Sequence, residues 1–217
     1  MNYRDVEVML GEGEGFQLEF KRKVSSREKI AKALVGFANT RGGTILFGVD
    51  DDRTIVGVES EKSEVDLIKA VAEFHCDPPI PMDIEIVPYK GKDIIAVVIA
   101  ESKEKPHSVV PNEQTDEAPP QVYIRVNDKT VEASREVVRI LRSENPDTPP
   151  LRIAIGDNER RLFEFLDTQE RITLKEFEHL VNISKRRASR ALTQLVRAGV
   201  LRVHTSERED YYTRAFD

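Results

Sequence analysis

Residues 36–51 read GFANTRGGTILFGVDD, and this stretch decides the fold of the first two-thirds of the chain. The apolar residues that lead into it recur at helical spacing: Ile30, Leu34, Phe37 and Ala38. Gly42 and Gly43 then end the helix, because glycine adopts a positive φ there without strain. Residues 44–49 are apolar on both faces, as in a central strand. Gly48 within that strand suggests the close approach of another backbone.

The flanking sequence predicts further strands and helices. Residues 16–21 alternate apolar and polar, which indicates a strand with one buried face. Ser25 and Glu28 have the spacing of a capping box for the helix above. The remaining predictions are a hairpin strand at 54–58, a helix at 64–75, a hairpin of 84–89 with 93–100, a strand at 122–126 and a helix at 134–142. The fold class is therefore α+β.

A proline-rich segment separates this region from the rest. Residues 143–150 read SENPDTPP, and three prolines cannot continue a helix. We therefore predict a first domain at 1–143, a linker at 144–152 and a second domain at 153–217. Residues 103–120 are polar and contain prolines, which predicts a mobile functional loop or a disordered segment.

The second domain has the pattern of a winged helix. Helices are predicted at 159–166, 174–181 and 184–198, and two short strands at 200–204 and 211–213. Thr173 and Ser184 are the expected caps of the second and third helices. Three helices followed by a two-stranded wing make a small winged helix-turn-helix domain.

The third of these helices is basic on one side. Ala188, Leu192 and Leu195 share an apolar side that must pack on the other helices. In helix-turn-helix proteins such a helix lies in the major groove, where arginine, lysine and serine reach bases and phosphates. The candidate nucleic-acid contacts are Ser184, Lys185, Arg186, Arg187, Ser189, Arg190 and Arg197.

Charge is distributed unevenly around this helix. The chain carries a formal net charge of −6, yet residues 179–206 contain no Asp or Glu. A local basic face in an acidic protein is typical of a phosphate contact. The alternative is a solvated face in a module for dimerisation or protein contacts, and the acidic wing tip, with Glu207, Glu209 and Asp210 against Arg208, argues in its favour. We predict duplex DNA as the partner, read by a homo-oligomer because one such domain offers a small interface.

Composition narrows the class of protein. No apolar run approaches the roughly 20 residues that cross a bilayer, and the N-terminus lacks a signal-peptide pattern. Cys76 is the only cysteine, so an internal disulfide and a cysteine-rich metal site are excluded. We therefore expect a cytoplasmic protein without a membrane partner.

Several segments together are similar to a known family. The segments are GEGE at 11–14, LEFK at 18–21, residues 36–51, KPH at 105–107 and YIRV at 123–126. In combination they resemble the Schlafen-type AlbA_2 domain over about the first 140 residues, although Asn127 stands where a glycine is usual. The resemblance implies an AlbA_2-like mixed sheet with helices. It also implies a C-terminal winged helix, as in bacterial members described as transcriptional regulators or DNA-binding proteins.

The family has also been described as a divergent ATPase. The chain contains no GxxxxGK[ST] motif, and the carboxylates of Glu12 and Glu14 in the glycine-rich segment 11–15 would repel a phosphate. ATP binding is not supported, and no cofactor is predicted for the DNA-binding function.

The resemblance also implies an alternative activity. Some eukaryotic Schlafen relatives are RNases that use two glutamates near the LEFK strand and an aspartate after the GVD strand; the matching residues are Glu14, Glu19 and either Asp50 or Asp51. Three carboxylates could hold Mg²⁺ or Mn²⁺ for an endoribonuclease acting on RNA. On one continuous strand the two glutamates would lie about 16 Å apart, so they converge only if the chain bends near Gly13 or Gly15. Without such a site, the same acids belong to a polar strand face and an ordinary turn.

Overall fold

A computed structural model describes residues 1–110, 119–144, 155–206 and 208–215. Its contacts divide the chain into two units, Met1–Glu132 and Ala133–Asp217. The elements of the first unit are α1 (Tyr3–Glu12), β1 (Leu18–Lys21), α2 (Arg27–Ala38), β2 (Gly43–Phe47), α3 (Glu61–Phe74), β3 (Cys76–Asp77), β4 (Met82–Tyr89), β5 (Lys92–Ile99), β6 (Ser108–Val109), β7 (Tyr123–Val126) and β8 (Lys129–Glu132).

The centre of the first unit is a mixed sheet of order β1-β2-β5-β4. Strands β1 and β2 are parallel, whereas the β2–β5 and β5–β4 pairs are antiparallel. One face of β2, with Ile45 and Phe47, packs against α2 and α3. The other face, with Leu46, lies in a second cluster that includes Val6 of α1. Burial on both faces confirms that the apolar stretch 44–49 contains a central strand.

Two glycines of the quoted stretch are required by its geometry. Gly42 has φ +66°, and a Cβ there would lie 2.4 Å from the carbonyl oxygen of Ile99. Gly48 has φ +93°, and a Cβ there would lie 3.0 Å from backbone atoms of Gly57. Both predictions about these glycines, a positive φ after the helix and a close backbone approach, are confirmed.

The first unit differs from the predicted elements in several places, and its short strands β3 and β8 were not predicted. Helix α1 was not predicted, and Ser26 rather than Ser25 caps α2, since its hydroxyl accepts from the Lys29 amide. Residues 54–58 form only an isolated bridge, Val49 with Ile55, in place of a strand. The polar segment 103–120 contains β6, and its residues 111–118 lie outside the described part of the chain.

The described residues of the second unit form four helices and three short strands. They are α4 (Arg135–Glu144), α5 (Asp157–Thr168), β9 (Ile172–Thr173), α6 (Leu174–Val181), α7 (Lys185–Arg197), β10 (Leu201–His204) and β11 (Tyr211–Arg214). Its sheet has the order β10-β11-β9, so the expected pair of strands gains a third member. Helix α6 has the predicted bounds, and Thr173 forms the predicted cap together with Glu176 in a capping box.

Helix α4 changes the domain organisation expected from the sequence. It was placed in the first domain, at 134–142, but it packs mainly on α7 and belongs to the second unit. Val137, Ile140 and Leu141 are its buried residues. The division between the units therefore falls at Glu132, before this helix. Residues 145–152 of the predicted linker lie outside the described residues.

Within the described ranges, no helix is both long enough and apolar enough to span a membrane.

Candidate nucleic-acid interface

Helix α7 follows α6 after a turn of three residues. Asn182 takes the left-handed conformation, with φ 52° and ψ 53°, which asparagine tolerates better than most residues. Its amide bonds back to α6 and ends that helix. Ser184 occupies the N-cap position of α7 in an extended conformation, but its side chain makes no capping bond. Its carbonyl oxygen accepts from Arg187 and Ala188 instead.

The apolar side of α7 fixes the helix on the second unit. Ala188, Leu192 and Leu195 are buried in one cluster with Phe177 of α6 and Tyr212 of β11. Each of these side chains is at most 1% exposed. Burial of this side leaves the orientation of the basic side fixed as well, because a helix cannot rotate without exposing these residues.

Most of the predicted nucleic-acid contacts face solvent. The exposed candidates are Ser184, Lys185, Arg186, Arg187 and Arg190. Arg197, at the C-terminal end of the helix, is partly exposed. Five of the seven candidates therefore form an exposed, largely cationic surface over the first two turns of α7.

Ser189 is the exception, and the prediction for it needs correction. It is 2% exposed, and its hydroxyl bonds to the Glu136 carboxylate at 2.7 Å and to the Arg139 guanidinium, both on α4. Thr193, one turn further along α7, is also buried, at 8% exposed. Helix α4 covers this side of α7, so Ser189 is packed against a helix and does not face a duplex.

Helix α4 also adds arginines beside the basic side of α7. A groove of about 490 Å³ lies between the two helices, and we call it the arginine groove. Its lining residues are Arg139, Arg142 and Ser143 of α4 with Arg186, Arg190, Thr193, Gln194 and Arg197 of α7. Arg139 and Arg142 were missed in the sequence. The available signal was their spacing with Arg135, at i, i+4 and i+7 on an otherwise amphipathic helix.

One carboxylate of the acidic segment between β10 and β11 is turned toward α4. Asp210 is partly buried, and its carboxylate accepts from the Ser134 hydroxyl in front of α4. Burial raises the pKa of this carboxyl, partly offset by the Ser134 hydrogen bond. Arg208 and Glu209 are exposed at the tip, and Glu207 lies outside the described residues.

The two glutamates of the alternative nuclease site lie on either side of a chain reversal. Gly15 donates to the Leu18 carbonyl at 2.9 Å, so the chain bends at one of the two glycines where the sequence allowed it. The Glu14 carboxylate returns to the strand and accepts from the Phe20 amide at 2.8 Å. Glu19 is held by two cations, Lys21 at 2.5 Å and Arg125. Each carboxylate oxygen of Glu19 is engaged by one of these cations, which would compete with a metal ion for it.

The aspartates of that site also have local partners. Asp50 pairs with Arg22 and accepts from the Asp51 amide at 3.1 Å, and Asp51 is exposed in the turn. Among the described residues, no three His, Cys, Asp or Glu side chains are grouped so as to hold a metal ion. Burial raises the pKa of the Cys76 thiol to about 12, so this thiol stays protonated at neutral pH.

Three of the segments that resemble the AlbA_2 domain, residues 36–51, 105–107 and 123–126, are joined by a buried polar network in the first unit. Asn39, 2% exposed, donates to the carbonyls of His107 and Tyr123 and accepts from the His107 amide, at 2.7–2.9 Å. The Thr40 hydroxyl donates to Gly36 and accepts from the Arg125 amide. The FANT segment is thereby tied to the segments KPH and YIRV.

Arg125 extends this network to the first strand. Its guanidinium donates to Glu19, to Thr130 at 3.0 Å and to the Gly15 carbonyl at 2.7 Å, and it lies 4.5 Å from the ring centroid of Phe37. The side chain is 1% exposed. This contact joins LEFK to YIRV, so the segments that carry the resemblance interact through side chains that are mostly buried.

Asn127, which replaces the usual glycine, has φ +55° in the turn between β7 and β8. Asparagine is one of the few residues that takes the left-handed region readily, which explains why the replacement is tolerated.

These features define the first unit as an α+β domain of the AlbA_2 type. The Schlafen, AlbA_2 family model matches residues 14–134, which is 121 of 217 residues and more than half of the chain. The chain belongs to this family. No curated protein matched it.

Two solved structures are similar to the chain. One is the DIP2311 protein from Corynebacterium diphtheriae, with 16% identity and a TM-score of 0.48; the match covers 72% of this chain and 31% of that one. The other is the N-terminal domain of a protein from Nitrosomonas europaea that is named as related to the ATP-dependent DNA helicase RecG. The identity is 19% and the TM-score is 0.44, and the match covers 62% of this chain and 93% of that one. This chain thus spans about a third of the DIP2311 chain.

Proposed function

We propose that the second unit is a winged helix-turn-helix and that it binds duplex DNA through α7. The observation that carries the proposal is the exposed cationic surface of Lys185, Arg186, Arg187 and Arg190 on a helix whose opposite side is buried. Guanidinium groups at the start of such a helix suit guanine edges and phosphates. The order of the elements from α5 to β11 is that of a winged helix, with α7 as the recognition helix.

The protein then acts as a DNA-binding regulator. Membership of the Schlafen, AlbA_2 family for residues 14–134 is consistent with a nucleic-acid-related role. One α7 contacts only a few base pairs, so a homo-oligomer that reads repeated half-sites is the expected active form. In this proposal the first unit serves assembly or sensing, because its family residues are engaged in its own interior.

Binding of a labelled duplex by the full chain tests the proposal. Arg186→Ala with Arg190→Ala should weaken affinity at least tenfold and reduce the slope of log affinity against log salt by about 2, since each lost phosphate contact removes about 0.9. Arg160→Ala with Arg161→Ala, on the exposed side of α5, removes the same charge and is the matched control. Equal affinity of the two double variants would contradict a DNA contact by α7.

A second assay addresses the alternative activity. Structured RNA is incubated with the protein with and without Mn²⁺ and analysed on a denaturing gel. We expect intact RNA. Metal-dependent fragments that disappear in Glu19→Gln would favour the endoribonuclease over the regulator.

A further inference from the structure

The sheet of the second unit has one face in the hydrophobic core and one outer face. The side chains that face the core are at most 2% exposed: Ile172, Leu201 and Tyr212. Successive side chains of a strand point to opposite faces, so their neighbours on β10 and β11 lie on the outer face. These outer residues are Arg202, His204, Tyr211 and Thr213. All four are exposed or partly exposed, so the outer face is accessible from solvent.

The outer face forms one wall of a cleft, which we call the sheet cleft. Its other wall is the end of α5 and the loop that follows, residues 166–171. The volume of about 770 Å³ is within the usual range for ligand sites. The lining residues all belong to the second unit, so the cleft is a feature of this unit alone.

The charged groups of the sheet cleft leave a small positive excess. Asp167 and Arg214 pair with each other. The other charged side chains that line the cleft are Glu170, Arg171 and Arg202. The guanidinium of Arg202 forms no hydrogen bond or ion pair with the described residues, and that of Arg171 lies over the ring of Tyr211. Two cations and one anion suit a ligand with a single phosphate group.

Three planar side chains are layered across the sheet. Tyr211 and His204 are register partners, and their rings are parallel to within 6° with centroids 4.8 Å apart. The Arg171 guanidinium lies 5.1 Å from the Tyr211 centroid. Because β11 lies between β9 and β10, Tyr211 lies between the other two side chains. The layer ends at His204 on the edge strand, where no second ring or cation of the described residues stacks on the imidazole.

Two polar groups of this layer have no hydrogen-bond partner among the residues that the structure describes. The Thr213 hydroxyl donates its one proton to the Arg214 carbonyl at 3.2 Å, so it accepts from His204 Nε2 at 2.9 Å. In the neutral ring, His204 Nδ1 is then an acceptor without a partner. The Tyr211 hydroxyl also makes no hydrogen bond with these residues. The cleft therefore offers polar groups together with a stacking surface.

We propose that the sheet cleft binds an unpaired nucleotide, whose base stacks on His204 and whose phosphate pairs with Arg202. Aromatic side chains beside arginines are the usual means of binding single strands, because every base has a π-face and every nucleotide a phosphate. The bases of a duplex are stacked on one another and do not offer a free face. The nucleotide belongs either to a single strand or to a free mononucleotide. The cleft shares no residue with the cationic surface of α7, so the proposal does not rest on duplex binding.

Two single-stranded oligonucleotides of equal length test the contact with the base. One is an oligothymidine and the other is abasic, so both carry the same number of phosphates, and affinity is measured by fluorescence anisotropy. We expect the oligothymidine to bind about tenfold more tightly, the effect of one stacked base. This preference should disappear in His204→Leu. His179→Leu, the same substitution at an exposed position of α6, is the matched control and should keep it.

A salt series tests the contact with the phosphate. Arg202→Gln should weaken binding of both oligonucleotides and lower the slope of log affinity against log salt by about 0.7, the value for one phosphate contact of a single strand. Arg161→Gln removes the same charge at an exposed position of α5 outside the cleft and should leave the slope unchanged. Equal slopes in these two variants would contradict the phosphate contact of Arg202.

The imidazole signal of His204 distinguishes the two sources of the nucleotide. A base stacked on the ring shifts the resonance of its Cε1 proton, and His204→Gln assigns this signal among the four histidines of the chain. A saturable shift with thymidine monophosphate indicates a free nucleotide, whereas a shift with the oligothymidine alone indicates a single strand. The titration uses the wild-type protein, so it tests the proposal even if circular dichroism shows that His204→Leu has lost its fold.

The proposal is overturned if neither ligand shifts the His204 signal, and also if a folded His204→Leu protein keeps the wild-type preference for the oligothymidine. Failure of the proposed function is a different result. In that case Arg186→Ala with Arg190→Ala leaves duplex affinity unchanged, and the preference for a strand with bases is unaffected.

Discussion

A buried arginine of the first unit and three arginines of the second unit have opposite surroundings. In the first, the Arg125 side chain is 1% exposed, and its guanidinium contacts Glu19, Thr130 and the Gly15 carbonyl. In the second, Arg186, Arg187 and Arg190 are exposed along one helix. The buried arginine is part of the recognisable family sequence, whereas the exposed ones lie outside the matched residues 14–134.

The part of the sequence that identifies the family is therefore not the part that forms the candidate interface. A buried hydrogen-bonded network tolerates few side chains, because each replacement leaves a donor or acceptor without a partner. Such a network therefore has a distinctive sequence whether or not it contacts a ligand. An exposed cationic surface needs only positive charge at suitable spacing, which many sequences provide. The strongest sequence signature here identifies the family, and the candidate interface lies elsewhere in the chain.

The largest effect should follow from removing the buried cation. Arg125→Ala leaves Glu19 with one of its two cationic partners and removes a hydrogen bond to the Gly15 carbonyl, so we expect the free energy of unfolding to fall by about 3–5 kcal/mol. Urea unfolding followed by circular dichroism measures it. Arg27→Ala, at an exposed position in the first turn of α2, should change stability by only about 0.5 kcal/mol. A loss below about 1 kcal/mol for Arg125→Ala would contradict an anchoring role.

The next effect concerns the amide that joins two segments of the first unit. Asn39→Ala removes three hydrogen bonds to the backbone of His107 and Tyr123, and we expect a loss of about 2–3 kcal/mol. Asn39→Asp keeps the shape and the acceptor but cannot donate to the two carbonyls. It should be at least as destabilising in the same assay. A stable Asn39→Asp protein would show that the two donated bonds contribute little.

Local sequence was sufficient where neighbouring residues determine the structure. The bounds of α6 follow from Thr173, Glu176 and Asn182, all within or beside the helix. The two-faced apolar pattern of 44–49 likewise predicted β2. Helix α1 was missed although its signal was present, since Asn2 and Asp5 form a capping box in front of a helix that buries Val6.

Contacts between residues far apart in the chain could not be predicted from the sequence. The pattern of α4 showed that one side must be buried but not that α7 is the partner, so the burial of Ser189 and the position of Arg139 beside α7 were not predictable. The same holds for Glu19. The alternating pattern placed Glu19 on a polar face, whereas one of its two cationic partners, Arg125, lies 106 residues further along the chain.

A smaller change in stability tests whether Ser189 has a packing role or contacts DNA bases. Ser189→Ala removes its bonds to Glu136 and Arg139, so we expect a stability loss of about 1 kcal/mol. Discrimination between duplex sequences should be unchanged. Arg190→Ala, one position along α7 and exposed, should show the reverse, with weaker DNA binding and little loss of stability. Altered sequence preference in Ser189→Ala would mean that α4 leaves this face when DNA binds.

The smallest expected changes in stability depend on pH and come from replacing one aspartate in each unit. They should have opposite signs. Burial raises the pKa of Asp210 in the folded state, so its ionised form disfavours folding at neutral pH, and the penalty disappears once both states are protonated, below about pH 3.9. Asp210→Asn should therefore stabilise the protein at neutral pH and lose this gain in acid. Hydrogen bonds from Thr54 lower the pKa of Asp52, so Asp52→Asn should be slightly destabilising at neutral pH and neutral in acid. The measurement is the unfolding midpoint of both variants between neutral pH and about pH 3.9. If both substitutions shift the midpoint in the same direction, burial does not control the ionisation of Asp210.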